Sequence, residues 1–283
     1  MIFVNIHLHP LLILFIFLSI ITGTFIHLFI ILLIVLIHEL GHYIAAAYFK
    51  WRIDYIMLWV FGGVMKTDES THHSIKEECI VTLAGPMQHL FIFFVLYLFS
   101  LFSILPEAIL TEAYYYNGVI LLFNLLPIYP LDGGKLILLL QSSLTAYLTA
   151  LRATFIMSII SCLVILIMQL SLFPFTWSAF LLALFLLLEN VRAWKEHYYT
   201  FIRFLLRRLH QPNEEKVQLE SVQNNTRLIE VFKQFRRNRF YHFKVHHIDS
   251  SWIIMEQTCL HAYFIDKNIM ATMGDMIDEV KST

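Results

Sequence analysis

The sequence predicts an α-helical polytopic membrane protein of about six spanning helices, followed by a small cytoplasmic α/β domain. Three observations carry this expectation. Apolar windows long enough to cross a bilayer recur from the N-terminus to about Asn190. Beyond Arg192 the composition turns polar and charged. In the apolar part, Lys and Arg are confined to alternate loops. The net charge of −1 says little about partners, because the charges gather in the last third of the chain, and no direct nucleic-acid binding is expected. Cys79, Cys162 and Cys259 are scattered with no CxxC pair, which points to neither a disulfide framework nor a cysteine metal site.

A spanning helix needs about 20 mostly apolar residues, and six stretches qualify: 9–25, 27–49, 79–103, 114–140, 153–171 and 174–191. No basic stretch and no small-residue cleavage site mark the first as a removable leader, so it is expected to be retained. Thr22-Gly23-Thr24 provides a tight turn into the second. Between the second and third spans, Ile53 to Gly63 is β-rich and ends in Gly62-Gly63. It is too short and broken for a crossing, and fits a re-entrant hairpin packed against protein. The same segment, 53–64, could also hold an extended substrate by strand addition.

Lys50, Arg52, Lys66 and Lys76 follow the second span, Lys135 and Arg152 flank the connection after the fourth, and Arg192, Lys195, Arg203, Arg207 and Arg208 follow the sixth. The opposite loops, 22–26, 104–113 and 171–174, hold no Lys or Arg. Both termini are therefore expected in the cytoplasm. Residues 1–192 form the membrane domain, 193–216 a basic, aromatic connecting helix with a break at Pro212, and 217–283 the α/β domain. Within the last, an apolar helix around Leu228–Phe235 precedes the strand-like FYHFKV and WIIMEQ and a final helix.

The second span carries LLIVLIHELGHYIAAAYF, Leu32 to Phe49. A charged group near the bilayer centre costs about 3 kcal/mol on the mildest insertion scale, so Glu39 needs a reason to be there. Residues four apart share a helix face, so His38 and His42 can present two imidazoles to one ion. Glu39 falls beside them, placed to take the proton of an attacking water. Zinc suits this set, because it accepts imidazole nitrogen and keeps a position open in catalytic sites. It then lacks a third protein ligand. Asp132, in LLFNLLPIYPLDGGKLILLL, is the acidic residue deep in an apolar stretch with helix-breaking neighbours: Pro127, Pro130, Gly133 and Gly134 interrupt this fourth span. Glu189 competes, but lies at the membrane edge beside Arg192. The second and fourth spans run in the same direction, so the histidines and Asp132 fall at one depth, in the cytoplasmic half.

His38-Glu39-Leu40-Gly41-His42 in one span, with Leu131-Asp132-Gly133 in a later one, resembles the site-2 proteases, which are intramembrane zinc metalloproteases. Gly62-Gly63 and Ala84-Gly85-Pro86 fit further elements of that family. Through LLIVLIHELGH, AGPMQH, NLLPIYPLDGGK and LHAYF the chain is similar to the sporulation branch of the family, over nearly its whole length. The resemblance implies one zinc held by His38, His42 and Asp132, with Glu39 as the general base. It further implies that Asn124, Pro127 and Pro130 shape the site and seat substrate. Water must reach the ion from the cytoplasm, and Gly133-Gly134 could loosen the fourth span there. Asn124 could donate to a developing oxyanion or make a hydrogen bond bridging helices. The implied substrate is a membrane-associated pro-sigma factor. The implied location is the mother-cell membrane around the forespore of a spore-forming bacterium, with inhibitory membrane proteins as partners. The C-terminal domain resembles a cystathionine-β-synthase-type (CBS) nucleotide-sensing module, which implies ATP as a ligand although no Gly-rich phosphate loop is present. A lone module of this kind favours pairing with a second copy.

Two other readings compete. A membrane metal-ion transporter would use the same His/Asp site, but neither HELGH nor LDGG has a second copy to mark paired halves. A membrane-anchored sensor with a structural metal has no use for Glu39. His72-His73 and His246-His247 read as ordinary loop histidines. His89 is expected to bond across helices or line the cavity, without being a ligand.

Overall fold

The computed structural model describes residues 5–8, 10–59, 62–67, 73–172, 174–210, 217–247 and 250–277. The chain divides into two compact units, 1–136 and 137–283, with the boundary inside one helix.

The first unit opens with β1 (Asn5–Leu8) and α1 (Pro10–Thr22), then α2 (Phe25–Tyr48). Gly23, at φ 74°, makes the turn between the two helices. A three-stranded sheet follows in the order β1-β2-β3, with β2 (Ile53–Trp59) parallel to β1 and antiparallel to β3 (Gly62–Thr67). The β-rich segment thus forms a hairpin, and the strand from the N-terminus is an addition to it. Next comes α3 (Ile75–Leu101), capped by Ser74, whose hydroxyl accepts from the Glu77 amide, with Glu77 and Glu78 favouring the positive end of the helix. α4 (Glu107–Asn124) and the start of α5 (Asp132–Leu144) complete the unit. Ile30 and Ile34 of α2 pack with Ile92 and Leu96 of α3 and Leu110 and Ala113 of α4. The outer faces are apolar as well: Phe17, Ile20, Phe29, Phe94 and Leu122 are all exposed. So much exposed hydrocarbon suits a lipid surround.

The second unit holds the rest of α5, α6 (Tyr147–Ser171) and α7 (Trp177–His210). The sixth stretch and the basic connecting helix are one continuous helix as far as His210. At about 1.5 Å per residue, α7 is about 51 Å long, well beyond a bilayer's hydrocarbon thickness of about 30 Å. The break expected at Pro212 lies outside the described residues. A second sheet, β4-β5-β6, is formed by Val217–Gln223, Phe240–His247 and Ser250–Met255, with β4 and β5 parallel and β5 and β6 antiparallel. α8 (Leu228–Phe232) and α9 (Glu256–Phe264) accompany it. Its core combines Tyr241, Phe243 and Val245 with Phe232, Phe235 and Leu260. Arg208 of α7 is fully buried against this domain. It donates to both Glu256 carboxylate oxygens at 2.5 and 2.7 Å and to the carbonyls of Arg236 and Arg239.

Among the described residues, four helices (α2, α3, α6 and α7) are long and apolar enough to cross a membrane. The first expected span is the 13-residue α1. The fourth, 114–140, is not one helix: it is divided between α4 and α5 by an irregular stretch at 125–131. Pro127 and Pro130 cannot donate to a helical ladder. Gly133 and Gly134 let α5 press against that stretch, since a Cβ on Gly133 would lie 2.3 Å from the Leu125 carbonyl oxygen and one on Gly134 2.4 Å from the Tyr129 nitrogen.

Candidate metal centre

His38 and His42 are successive turns of one face of α2, both buried, with relative exposures of 4% and 7%. Asp132, 3% exposed, opens α5, where the positive end of the helix favours its carboxylate. The three side chains converge. His42 Nε2 is 3.1 Å from His38 Nε2 and 3.1 Å from Asp132 Oδ2, and His38 Nε2 is 3.2 Å from that same oxygen. Among the described residues this is the group of His, Cys, Asp and Glu side chains able to hold a metal ion.

The outward-facing atoms reveal what kind of cluster this is. His42 Nδ1 lies 2.8 Å from the Val81 carbonyl oxygen. A carbonyl only accepts, so Nδ1 carries the proton and the neutral ring turns its Nε2 lone pair inward. Asp132 Oδ1 accepts from Lys135 Nζ at 3.2 Å, which leaves Oδ2 for the cluster. An imidazole lone pair and a carboxylate oxygen 3.1 Å apart repel one another unless a proton or a metal cation lies between them, and the convergence of two imidazole nitrogens and a carboxylate oxygen on one point suits the metal. The spacing also fits: a tetrahedral zinc with bonds of about 2.0–2.1 Å sets its ligand atoms about 3.3–3.4 Å apart. These residues fit a zinc ion.

α3 closes the site from one side. A Cβ on Gly85 would stand 2.3 Å from His42 Nε2 and 2.8 Å from His38 Cε1, so glycine is what lets the α3 backbone lie against both rings. Gly41 does the same for α2, where a Cβ would meet the Ala84 carbonyl oxygen at 2.5 Å. Glu39 is buried on α2 at 7% exposure, one position from His38.

Pro127, Pro130 and Gly133 all lie in or against the irregular stretch that turns the chain into Asp132, beside the fully buried Ile128. Asn124 ends α4, and its Nδ2 donates to the Ile120 carbonyl within that helix at 3.0 Å. His89 is fully buried and bonds across helices, 3.0 Å from His38 Nδ1. His73 stacks on Trp51 at 4.0 Å and pairs loosely with Glu77 at 3.9 Å, His246 is exposed and, with His247, belongs to β5 rather than to a loop, and His72 lies outside the described residues. Sequence reasoning missed Lys135, although its i+3 offset from Asp132 was a usable signal. It also missed Asn117 and the Val81 carbonyl; backbone groups leave no trace in residue type.

A model of peptidase family M50 matches residues 26–111, which contain His38, Glu39 and His42 but stop short of Asp132. Stage IV sporulation protein FB of Bacillus subtilis is 34% identical over 276 residues, covering 96% of each chain. A zinc metalloprotease of Methanocaldococcus jannaschii is 32% identical over 129 residues, 44% of this chain and 37% of that one. The solved structure of the site-2 protease from Methanocaldococcus jannaschii matches with a TM-score of 0.53 and 26% identity, across 67% of this chain and 90% of that one.

Proposed function

The chain belongs to peptidase family M50, the zinc metalloproteases of site-2 type, and from this premise we propose that it hydrolyses a peptide bond within the membrane in a pro-sigma factor during sporulation. Its zinc is held by His38, His42 and Asp132, and Glu39 is the general base. The convergence of three buried acceptor atoms on one point carries the reading. Zinc in such a site supplies a Lewis acid and brings the pKa of a water to about 7. Glu39 takes the proton from the attacking water and delivers it to the leaving nitrogen. Lys135 holds the outer carboxylate oxygen of Asp132 and so keeps the inner one aimed at the ion. Asn124, Pro127, Pro130 and Gly133 shape the wall beside Asp132. The similarity to the sporulation protein, over nearly all of both chains, supports the substrate class and the mother-cell membrane around the forespore as the location.

The protein crosses the membrane six times with both termini in the cytoplasm. α1 is the first crossing and α4 and α5 share the fourth; the loop charges support this count. Residues 1–192 are the protease domain, 193–216 the connecting segment and 217–283 a CBS-like module, for which the single α/β unit built on β4-β5-β6 speaks. A cavity of about 340 Å³ is lined by Lys233, Arg236 and Arg239 with one acidic residue, Glu220, and this excess of cations supports an anionic ligand such as ATP. Pairing of modules from two copies and inhibitory membrane proteins complete the regulation.

The test is co-expression of a tagged, membrane-associated pro-sigma factor with the native chain or with Glu39→Gln. A shorter product is expected with the native chain alone. Cleavage by both chains would overturn the role given to Glu39.

A further inference from the structure

His89 and Asn117, both fully buried, form a second layer behind the metal site that the chemistry above does not use. Resting on the zinc site proposed above, we infer that His89, oriented by Asn117, is a positioning residue that selects the ring tautomer of His38 and thereby turns its Nε2 lone pair toward the ion.

Each step follows from a group that can play one role only. Asn117 lies on α4 and reaches His89 on α3 twice. Its Nδ2 is 3.0 Å from the His89 carbonyl oxygen, and its Oδ1 is 2.7 Å from His89 Nδ1. The backbone carbonyl can only accept, so the amide nitrogen of Asn117 must face it; the reversed amide would set two acceptors together. Oδ1 therefore faces His89 Nδ1, and that nitrogen carries the proton. The neutral His89 ring then has its lone pair on Nε2, 3.0 Å from His38 Nδ1. His38 must donate there. Its proton resides on Nδ1, and Nε2 is left as a bare acceptor pointing at Asp132 Oδ2 and His42 Nε2.

The two histidine ligands thus reach the same state by different routes. For His42 the Val81 carbonyl suffices, because a backbone oxygen has no alternative tautomer. For His38 the acceptor is another imidazole, which could equally present N–H or lone pair. Two further side-chain bonds are needed to make the choice. Without Asn117, His89 could carry its proton on Nε2 and force His38 into the tautomer that blocks ligation. Such outer partners of metal-binding histidines typically contribute 10–100-fold in metal affinity.

The experiment uses the full chain in detergent, with zinc affinity measured by competition against a graded chelator. In His89→Phe a ring of similar volume fills the space but offers no acceptor. In His89→Gln an amide oxygen can accept from His38 Nδ1 while the amide nitrogen meets Asn117 Oδ1. Native zinc affinity is expected to fall 10–100-fold in His89→Phe and to return to within about 5-fold in His89→Gln. Unchanged affinity in His89→Phe would overturn the inference. Equal losses in both variants would assign His89 to packing and overturn it too. A native chain that binds no zinc would instead remove the metal site itself, so failure of the site and failure of the inference give different results.

Discussion

Gly85 sets the width of the candidate metal site, and the effect of filling it separates helix stability from function. Alanine is the better helix former by about 1 kcal/mol, so Gly85→Ala leaves α3 at least as stable as a helix. Its methyl carbon would nevertheless stand 2.3 Å from His42 Nε2 and 2.4 Å from His42 Cε1, distances that force the ring away. Gly85→Ala is expected to insert into the membrane normally and to lose at least 90% of its zinc, read by metal analysis of the purified chain. Zinc retained at native level would show that α3 can retreat from α2. At this scale the sequence was informative wherever function needs a particular residue type at a particular spacing. That His38 and His42 share one face was legible from their four-residue offset, and that Glu39 is buried from the apolar segment around it. Asp132 was legible as an acid among helix breakers. The Val81 carbonyl was not, because any residue supplies one. Asn117 was not either: a single polar residue in an apolar helix carries no mark of which neighbour it meets 28 positions away.

Element boundaries were legible where breakers punctuate the chain and illegible where pairing is long-range. Pro127, Pro130 and the glycine pair separate α4 from α5, whereas α3, capped by Ser74, begins four residues before the apolar stretch 79–103 that marked it. The hydropathy of 114–140 nevertheless reads as one span, because hydrocarbon content does not register the loss of the helical ladder. β1 escaped notice because a four-residue strand gains its meaning from β2, whose paired residues lie 50 positions on. Arg208 is the opposite lesson. It counted as one more basic residue after the sixth span, yet it is fully buried, sits 4.4 Å from the centre of the Phe240 ring and 4.9 Å from that of Phe235, and is held by Glu256. Charge alone marks a cytoplasmic side; only packing tells an exposed cation from a buried one. Removing one partner of a buried ion pair costs about 3–5 kcal/mol, because the other is left uncompensated. Glu256→Leu is therefore expected to loosen the anchoring of the β4-β5-β6 domain on α7, detected as faster cleavage of the C-terminal domain by limited proteolysis. The double variant Arg208→Met/Glu256→Leu should recover much of the loss. Unchanged protease resistance in Glu256→Leu would mean that the carbonyls of Arg236 and Arg239 suffice for the guanidinium.

For the molecule as a whole, the orientation in the bilayer rests on the loop charges and the crossing count on the α4–α5 break, so one experiment can test both. Between Glu107, which opens α4 from a loop without Lys or Arg, and Asn268, beyond α9, the six-span reading places three crossings: the shared α4–α5 path, α6 and α7. Three is odd, so the two positions must lie on opposite sides. If the irregular 125–131 stretch instead turned the chain back toward its starting side, two crossings would remain, and both positions would face the same way. Both residues are exposed, and the natural cysteines Cys162 and Cys259 are buried, with Cys79 partly so. With all three replaced by serine and the chain expressed in the cell membrane of a non-sporulating host, Glu107→Cys is expected to react with a membrane-impermeant maleimide on intact cells, and Asn268→Cys only after the membrane is opened. The reverse pattern would overturn the orientation drawn from the basic residues. Labelling of both from outside would place the C-terminal domain outside the cell. Labelling of neither until the membrane is opened would put Glu107 inside with it; either same-side result would make α4–α5 a re-entrant pair. The expected pattern has a chemical consequence. With the C-terminal end of α2 on the cytoplasmic side, His38 and His42 lie about 15 and 9 Å along the helix from Tyr48, so the water consumed in hydrolysis has its shorter path from the cytoplasm.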